Sequence, residues 1–385
     1  MERILVVGAG FSGAVLARKL AEAGFPCLVI DERDHVAGNC HTSADAETGI
    51  LVHRYGPHIF HTDDQDIWDF VARFGRWEAY RHAVHASVRG VVYPLPVNLL
   101  TINQFFRKAM GPAEARTFIG AKRIPIAAPT SFRDQALSTV GEELYEAFFR
   151  HYTEKQWGVG AERLPASVLK RLPLRFSYDS NYFHHRNQAL PHDGYTAIVS
   201  GILTHELIEV RLATSAESLD QDFRHVFYTG GIDRYFGYGL GSLGYRTLRF
   251  QESREVGDLL GCPVMNFPDP DVPWTRKTEH RHLSPWRAPK SDMSIVWTEF
   301  SEAAKPGDTL FYPLRLAGDE RLLEAYVELA NRERAVTFLG RLGCYAYIDM
   351  DAAIRRAIDT AAVAIEAFSG GTAPPVFVHH PLGRL

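Results

Sequence analysis

The stretch Arg3-Ile4-Leu5-Val6-Val7-Gly8-Ala9-Gly10-Phe11-Ser12-Gly13 decides the fold of this chain. An apolar run ends at Val7, a G-x-G-x-x-G turn follows, and a helical pattern continues through Ala14, Leu16, Ala17 and Leu20. A second apolar run, Cys27-Leu28-Val29-Ile30, ends at an acid, Asp31. The order strand, glycine turn, helix, strand, acid predicts a dinucleotide-binding unit. Gly8 permits the tight turn, Gly10 lets the backbone approach a pyrophosphate, and Gly13 lets helix pack on sheet. The helix opening at Phe11 and Ser12 offers free N–H groups and a positive dipole end to the phosphates. Asp31 is placed to accept hydrogen bonds from an adenosine ribose.

Outward from that unit, the bulk properties are those of a globular protein. The 385 residues are 46% hydrophobic and 23% charged, a length that suggests two or three domains. A net charge of −4 gives no reason to expect nucleic-acid binding. Cys27, Cys40, Cys262 and Cys344 form no C-x-x-C pair and read as reduced thiols of a cytoplasmic protein. The first strand begins at residue 3, so no signal peptide is expected, and no apolar run is long enough to span a bilayer. The tail near Gly370-Gly371-Thr372 reads as a loose terminus.

The fold class predicted is α/β. A Rossmann-like domain is expected from residues 1–65, 195–235 and 320–385, made discontinuous by two insertions. The first, residues 66–168, reads as mostly helical. The second, residues 169–194 and 236–319, reads as a mobile loop and an antiparallel sheet rich in Thr, Val, Tyr and Trp. His225-Val226-Phe227-Tyr228 and Ala335 to Leu339 read as strands, with helices over Leu322–Asn331 and Ala352–Phe368.

Several further stretches carry chemistry. Gly38-Asn39 follows the second strand. Tyr55-Gly56-Pro57-His58-Ile59-Phe60-His61-Thr62 is a stiffened loop that presents His58 either to a cofactor or substrate, or to backbone as a structural residue. No acid or cysteine completes a metal set with His58 and His61, so no metal is expected. Phe148-Phe149-Arg150-His151-Tyr152 through Trp157-Gly158 supplies aromatic faces that suit a planar base or form ordinary helical core. Arg171, Arg175 and Arg276 are candidate diphosphate forks, or solvated surface charges. Arg341 and the helix start near Asp349-Met350 read as a late return to the cofactor.

Taken together these blocks resemble the UDP-galactopyranose mutase family. The matching strings include Tyr55 to Thr62, Pro94-Leu95-Pro96-Val97-Asn98 and Tyr152-Thr153-Glu154-Lys155-Gln156-Trp157-Gly158. They continue through Arg175 to Tyr182, Trp274-Thr275-Arg276 with Glu279-His280, and Gly340 to Met350. The resemblance implies an FAD-binding domain, a helical insertion and an antiparallel-sheet substrate domain. It implies an isomerase, formally an intramolecular transferase, interconverting UDP-galactopyranose and UDP-galactofuranose without net redox change. In that chemistry FAD must be reduced, and its N5 is the nucleophile at the anomeric carbon. The product would feed cell-wall or polysaccharide biosynthesis. A nucleotide sugar is the implied partner; a reductant such as NAD(P)H and a homodimer are partners the resemblance admits.

Carried over by position, Arg175 and Arg276 resemble the diphosphate clamp, with Arg175 on the closing loop. Tyr312 and Tyr347 resemble its hydrogen-bonding tyrosines. Tyr152, near Phe148 and Phe149, resembles the uridine contact, Asn266 a uracil contact and Trp157 the residue flanking the sugar. His58 resembles the histidine beside the flavin, with Arg341 and Met350 also at its side. Departures from the pattern occur at Gly231, Gly237 and Gly239, at Asn187 and at Ala346, and they are expected near the substrate. A sister substrate therefore stands as the alternative: another UDP- or dTDP-sugar such as a 6-deoxyhexose, an N-acetylhexosamine or an arabinose. An FAD-dependent oxidoreductase and a catalytically weakened binding protein are the other readings.

Overall fold

Ile4–Val7 lies at the centre of a five-stranded parallel sheet, in the order Ile208–Arg211, Cys27–Ile30, Ile4–Val7, His225–Tyr228, Val336–Phe338. The computed structural model describes residues 3–166, 174–220 and 222–383. Helices cover both faces of this sheet, which is why its inner strands read as continuous apolar runs rather than alternating ones. On one face Phe11–Glu22 packs between the sheet and the helices Met350–Ser369 and Tyr195–Leu203. On the other, Leu323, Tyr326 and Val327 of the helix Ala317–Ala330 meet Tyr228 and Phe338.

The turn between first strand and first helix is as tight as its glycines suggest. A Cβ on Gly13 would stand 1.9 Å from the Gly8 carbonyl oxygen. Gly8 itself has φ +106°, and a Cβ there would meet the Thr229 hydroxyl at 2.0 Å. That hydroxyl donates to the Val7 carbonyl and ties the turn to the neighbouring strand.

The second sheet has seven strands, in the order Tyr312–Pro313, Tyr245–Val256, Met293–Ala303, Arg276–Glu279, Val264–Asn266, Val84–Val88, Val91–Leu95. Two expectations are corrected here. Residues 66–168 are not mostly helical throughout, because residues 77–95 supply three strands. Two of these extend the seven-stranded sheet, and Trp77–Ala79 pairs with Asn187–Pro191 in a third sheet beside Phe60–Thr62. The signal was present: Val84-His85-Ala86-Ser87-Val88 alternates inward and outward, and Arg89-Gly90, both at positive φ, form its hairpin turn. Nor is the sheet wholly antiparallel, since Val264–Asn266 runs parallel to Val84–Val88. A helix from Glu142 continues to Trp157 through a wider π-type turn at Tyr145–Arg150.

Among the described residues no helix is long and apolar enough to cross a membrane. The four cysteines are free, and Cys27, Cys262 and Cys344 are buried.

Substituting Gly13 by Ala should lower stability by at least ~2 kcal/mol and abolish dinucleotide retention, because backbone rather than a flexible side chain occupies the space. A variant that melts like the parent and still retains a dinucleotide would refute this. A second expectation concerns acid. Burial draws His82 and His280 down to about 3, His225 to about 4 and His53 well below its ordinary value. The unfolded chain takes up these protons near pH 6.5. Folded-state stability should therefore be lost as pH falls from about 6.5 towards 4. Urea melts across that range should show the decline, and His82→Phe should reduce it; an unchanged slope would contradict the burial argument.

Candidate active site

A cleft of about 520 Å³ opens beside the glycine turn. Gly8, Gly10, Phe11, Ser12, Gly13, Asp31, Gly38, Asn39, His58, Arg341, Asp349 and Met350 all line it. Gly10 and Gly38 face each other closely, so a Cβ on Gly38 would stand 3.3 Å from the Gly10 Cα. Two helices, Phe11–Glu22 and Met350–Ser369, begin on the cleft wall. Gly10 at the first of these starts has no side chain with which to cap it, which leaves N–H groups for an anion.

Asp31 does more than the sequence implies. Its two carboxylate oxygens accept the N–H groups of Ala9 at 2.9 Å and Arg33 at 3.0 Å, bracing the glycine turn against the second strand. Sequence reasoning missed Arg33. Its guanidinium lies over the Tyr55 ring at 4.7 Å and donates to Asn39 Oδ1 at 3.0 Å, while its Nη1 is buried with no partner. Arg33 lines the same cleft, so an anionic group there would satisfy that nitrogen. A cation two residues beyond the strand-end acid was the available signal. Asn39 in turn donates to the Leu310 carbonyl at 3.0 Å. The glycine cradle, the open helix starts and the unsatisfied Arg33 nitrogen together suit a dinucleotide.

The departures at Gly231 to Gly239 do not lie where they were expected. Gly231, Arg234 and Tyr238 line this same cleft, and Arg234 pairs with Glu32 at 2.5 Å across its rim. Gly237 and Tyr238 both adopt φ +59°, which explains why this turn carries a glycine. Ala346 is buried in an apolar cluster with Cys344 and Ile348. Asn187 begins the strand paired with Phe60–Thr62, and its Nδ2 is buried without a partner.

His58 and Arg341 mark the inner end of the cleft. His58 Nδ1 meets the Gly56 carbonyl at 2.9 Å, which makes Nδ1 the protonated nitrogen of the neutral ring. Burial, then the Arg341 charge, pulls its pKa to about 4. Arg341 donates to the carbonyls of Ile348 and Phe311 and lies 5.8 Å from the rings of both Tyr312 and Tyr347. It thus joins the cleft to an aromatic cluster in which Tyr347 stands edge-on to Trp157 at 5.4 Å and to Tyr312 at 5.7 Å.

Arg276 adds the second cation. Its Nε donates to Glu299 Oε2 at 2.9 Å, and Glu299 is fully buried, its other oxygen held by Thr275. Burial opposes the Arg276 charge, but Glu299 and the nearby Tyr152 and Tyr312 outweigh it, so the guanidinium stays protonated. Burial pushes Tyr312 up to about 12 and Tyr152 further, so both phenols remain hydrogen-bond donors. Asn266 faces Arg276 across the strand pair and Ala86 on its other side. It is buried, with Oδ1 unpartnered.

Tyr152 and Trp157 arrive on the helix His151–Trp157, which Gly158 ends at φ +69°. A Cβ on Gly158 would stand 2.3 Å from Arg246 Nη1, and Arg246 Nε and the Ser301 hydroxyl both donate to the Gln156 carbonyl.

Some predicted residues are not gathered here. Phe148 and Phe149 belong to the apolar core of the helical segment, Phe148 packing on Tyr93 and Phe105. Arg175 is buried within its own loop, donating to Asp179 and to the Asn181 carbonyl and meeting His184 at 2.8 Å. Arg171 lies outside the described residues. Among those described, Asp258, Glu279 and His282 stand close enough together to suggest metal ligands. Hydrogen bonds account for the group: Glu279 accepts from Leu259, Leu260 and Ser294, and His282 meets Asp258 at 2.9 Å.

Residues 147–347 match the family model of UDP-galactopyranose mutase, and residues 6–74 match an NAD(P)-binding Rossmann-like domain. A probable UDP-galactopyranose mutase of Klebsiella pneumoniae is 46% identical over 98% of each chain. A dTDP-fucopyranose mutase of Escherichia coli is 45% identical, over 95% of this chain and 99% of its own. A crystal structure of reduced UDP-galactopyranose mutase shares the fold with a TM-score of 0.74 at 16% identity, covering 98% of this chain and 99% of that one. The chain belongs to the UDP-galactopyranose mutase family, whose members are isomerases.

Proposed function

We propose that this protein interconverts UDP-galactopyranose and UDP-galactofuranose with FAD held in the cleft in its reduced form. The observation that carries this reading is Arg276, a partly buried cation paired with the fully buried Glu299, with Tyr152 and Tyr312 as neighbouring donors. Reduced flavin, when bound, supplies the nucleophile for the anomeric carbon. On this reading residues 1–65, 195–235 and 320–385 hold the dinucleotide through the glycine turn, Arg33 and the helix starting at Met350. Residues 66–168 and 236–319 supply the substrate walls.

The chain's own residues bind, orient and screen. Arg276, Tyr312 and Tyr347 grip the diphosphate and favour the departing, more negative UDP over the ester. Trp157 closes the sugar side against water. Asn266 Oδ1 accepts from the base edge, satisfying an atom otherwise buried alone. His58 offers Nε2 of a neutral ring, an acceptor for a cofactor or sugar proton. Arg175 releases its loop carbonyls and turns to the diphosphate when substrate binds.

A second reading has one observation in its favour: the relative named as a dTDP-fucopyranose mutase is as similar as the one named for UDP-galactopyranose. The same chemistry on a dTDP-6-deoxyhexose is the alternative. Chromatographic assays of dithionite-reduced, FAD-loaded protein with UDP-galactofuranose and dTDP-fucofuranose separate the two, with oxidised protein as control. Conversion of neither sugar, or conversion without reduction, would defeat the proposal. In the same assay Arg276→Ala should lose at least ~10-fold in kcat/KM, as expected for a charged hydrogen bond, and keep its flavin. Arg276→Lys should recover part of the loss. Full activity in Arg276→Ala would remove this residue from the site.

A further inference from the structure

Lys155 stands between the two walls of the proposed substrate site and turns its ammonium onto backbone carbonyls. Its Nζ lies 2.5 Å from the carbonyl of Phe267, 2.7 Å from that of Val272, 3.0 Å from Asp269 and 3.1 Å from Trp274. All four carbonyls come from one loop, Phe267–Trp274, in which Pro268, Pro270 and Pro273 interrupt any ladder of N–H donors. The loop turns its carbonyls inward around a cation, much as a protein site solvates a metal ion. At its ends stand Asn266 and Arg276, which face each other across the strand pair.

The helix bearing Lys155 carries Tyr152 one turn back and Trp157 at its end. Arg246 and Ser301 fix the Gln156 carbonyl at the end of that helix to the long paired strands Tyr245–Val256 and Met293–Ala303. They do nothing for the loop, which Lys155 alone among these residues ties to the helix. We propose that Lys155 is a positioning residue for the nucleotide: by filling the carbonyl cage it sets Asn266 and Arg276 at their working distance from Tyr152 and Trp157. This rests on the proposed function for its substrate and on geometry alone for the anchor.

Both parts are testable on the FAD-loaded full chain at pH 7. That pH keeps the ammonium predominant, since burial, opposed by the Asp269 charge, draws the amine to about 8. Lys155→Ala leaves the cage open, and Lys155→Met fills the stem without the charge. Hydrogen exchange across residues 267–274 should quicken in both variants. Added propylammonium, a primary ammonium of matching length, should slow it again in Lys155→Ala, whereas tetramethylammonium, with no N–H, should not. In the reduced enzyme KM for UDP-galactofuranose should rise at least ~10-fold in both variants with kcat nearly kept, and propylammonium should recover it in Lys155→Ala only. Unchanged exchange in the loop would overturn the anchor. Quickened exchange with unchanged KM, or a raised KM that propylammonium does not lower, would overturn the positioning role. Failure of the parent enzyme to convert the sugar would count against the proposed function and leave the exchange result to judge the anchor.

Discussion

The close approach of Gly13 to the Gly8 carbonyl is the constraint on which the rest depends. It brings the first helix against the first strand, and that contact puts the helix start and the strand end at one edge of the parallel sheet. Everything later in the chain is built to meet that edge. The Asp31 carboxylate braces the turn from one side and the Thr229 hydroxyl from the other. The strand Val336–Phe338 then delivers Gly340 and Arg341, and the helix packed beside the first begins at Met350 on the same cleft wall. Chain that leaves the sheet twice, and returns each time, can therefore place two unrelated walls over one dinucleotide site.

Much of this was legible because local signals and tertiary roles coincide in the glycine turn. Gly8, Gly10, Gly13 and Asp31 can be read without a structure because each answers a steric or polar need within a few residues. The region from Trp77 to Leu95 was not legible as strand in the same way. Its three strands are short, and two of them complete a sheet whose other members lie far on in the sequence. Arg33 escaped for another reason: its partner Asn39 is close in sequence, but the buried face of its guanidinium exists only once Tyr55 folds beneath it. The resemblance that named Arg276, Tyr312 and Tyr347 carried no account of how they meet. The buried Glu299 and the rigid helix ending at Gly158 supply that account. Gly231 to Gly239 shows the converse. A string that looked like substrate-side variation borders the cofactor cleft, because the short helix Ile232–Tyr235 follows directly on a strand of the parallel sheet.

The cations around the site share a device that explains its electrostatics. Arg341 is held by the carbonyls of Ile348 and Phe311, Arg246 by that of Gln156, and Lys155 by four carbonyls of one loop. Carbonyl dipoles solvate a buried cation without cancelling its charge, whereas a carboxylate would cancel it. Arg276 is the exception, paired with Glu299, and that pair leaves one face of the guanidinium to its tyrosine neighbours. Cations therefore border the aromatic cluster although the chain as a whole is acidic, with a net charge of −4. On the proposed function, a diphosphate entering there would meet donors already oriented by the fold, and it would not have to displace a competing carboxylate at Arg341. Arg175 differs in kind: its partners, the Asp179 carboxylate and the Asn181 carbonyl, lie within its own loop, so its charge can leave them only if the loop itself rearranges. On the proposed function the fixed cations prepare the site, and the loop-held one responds to what enters it.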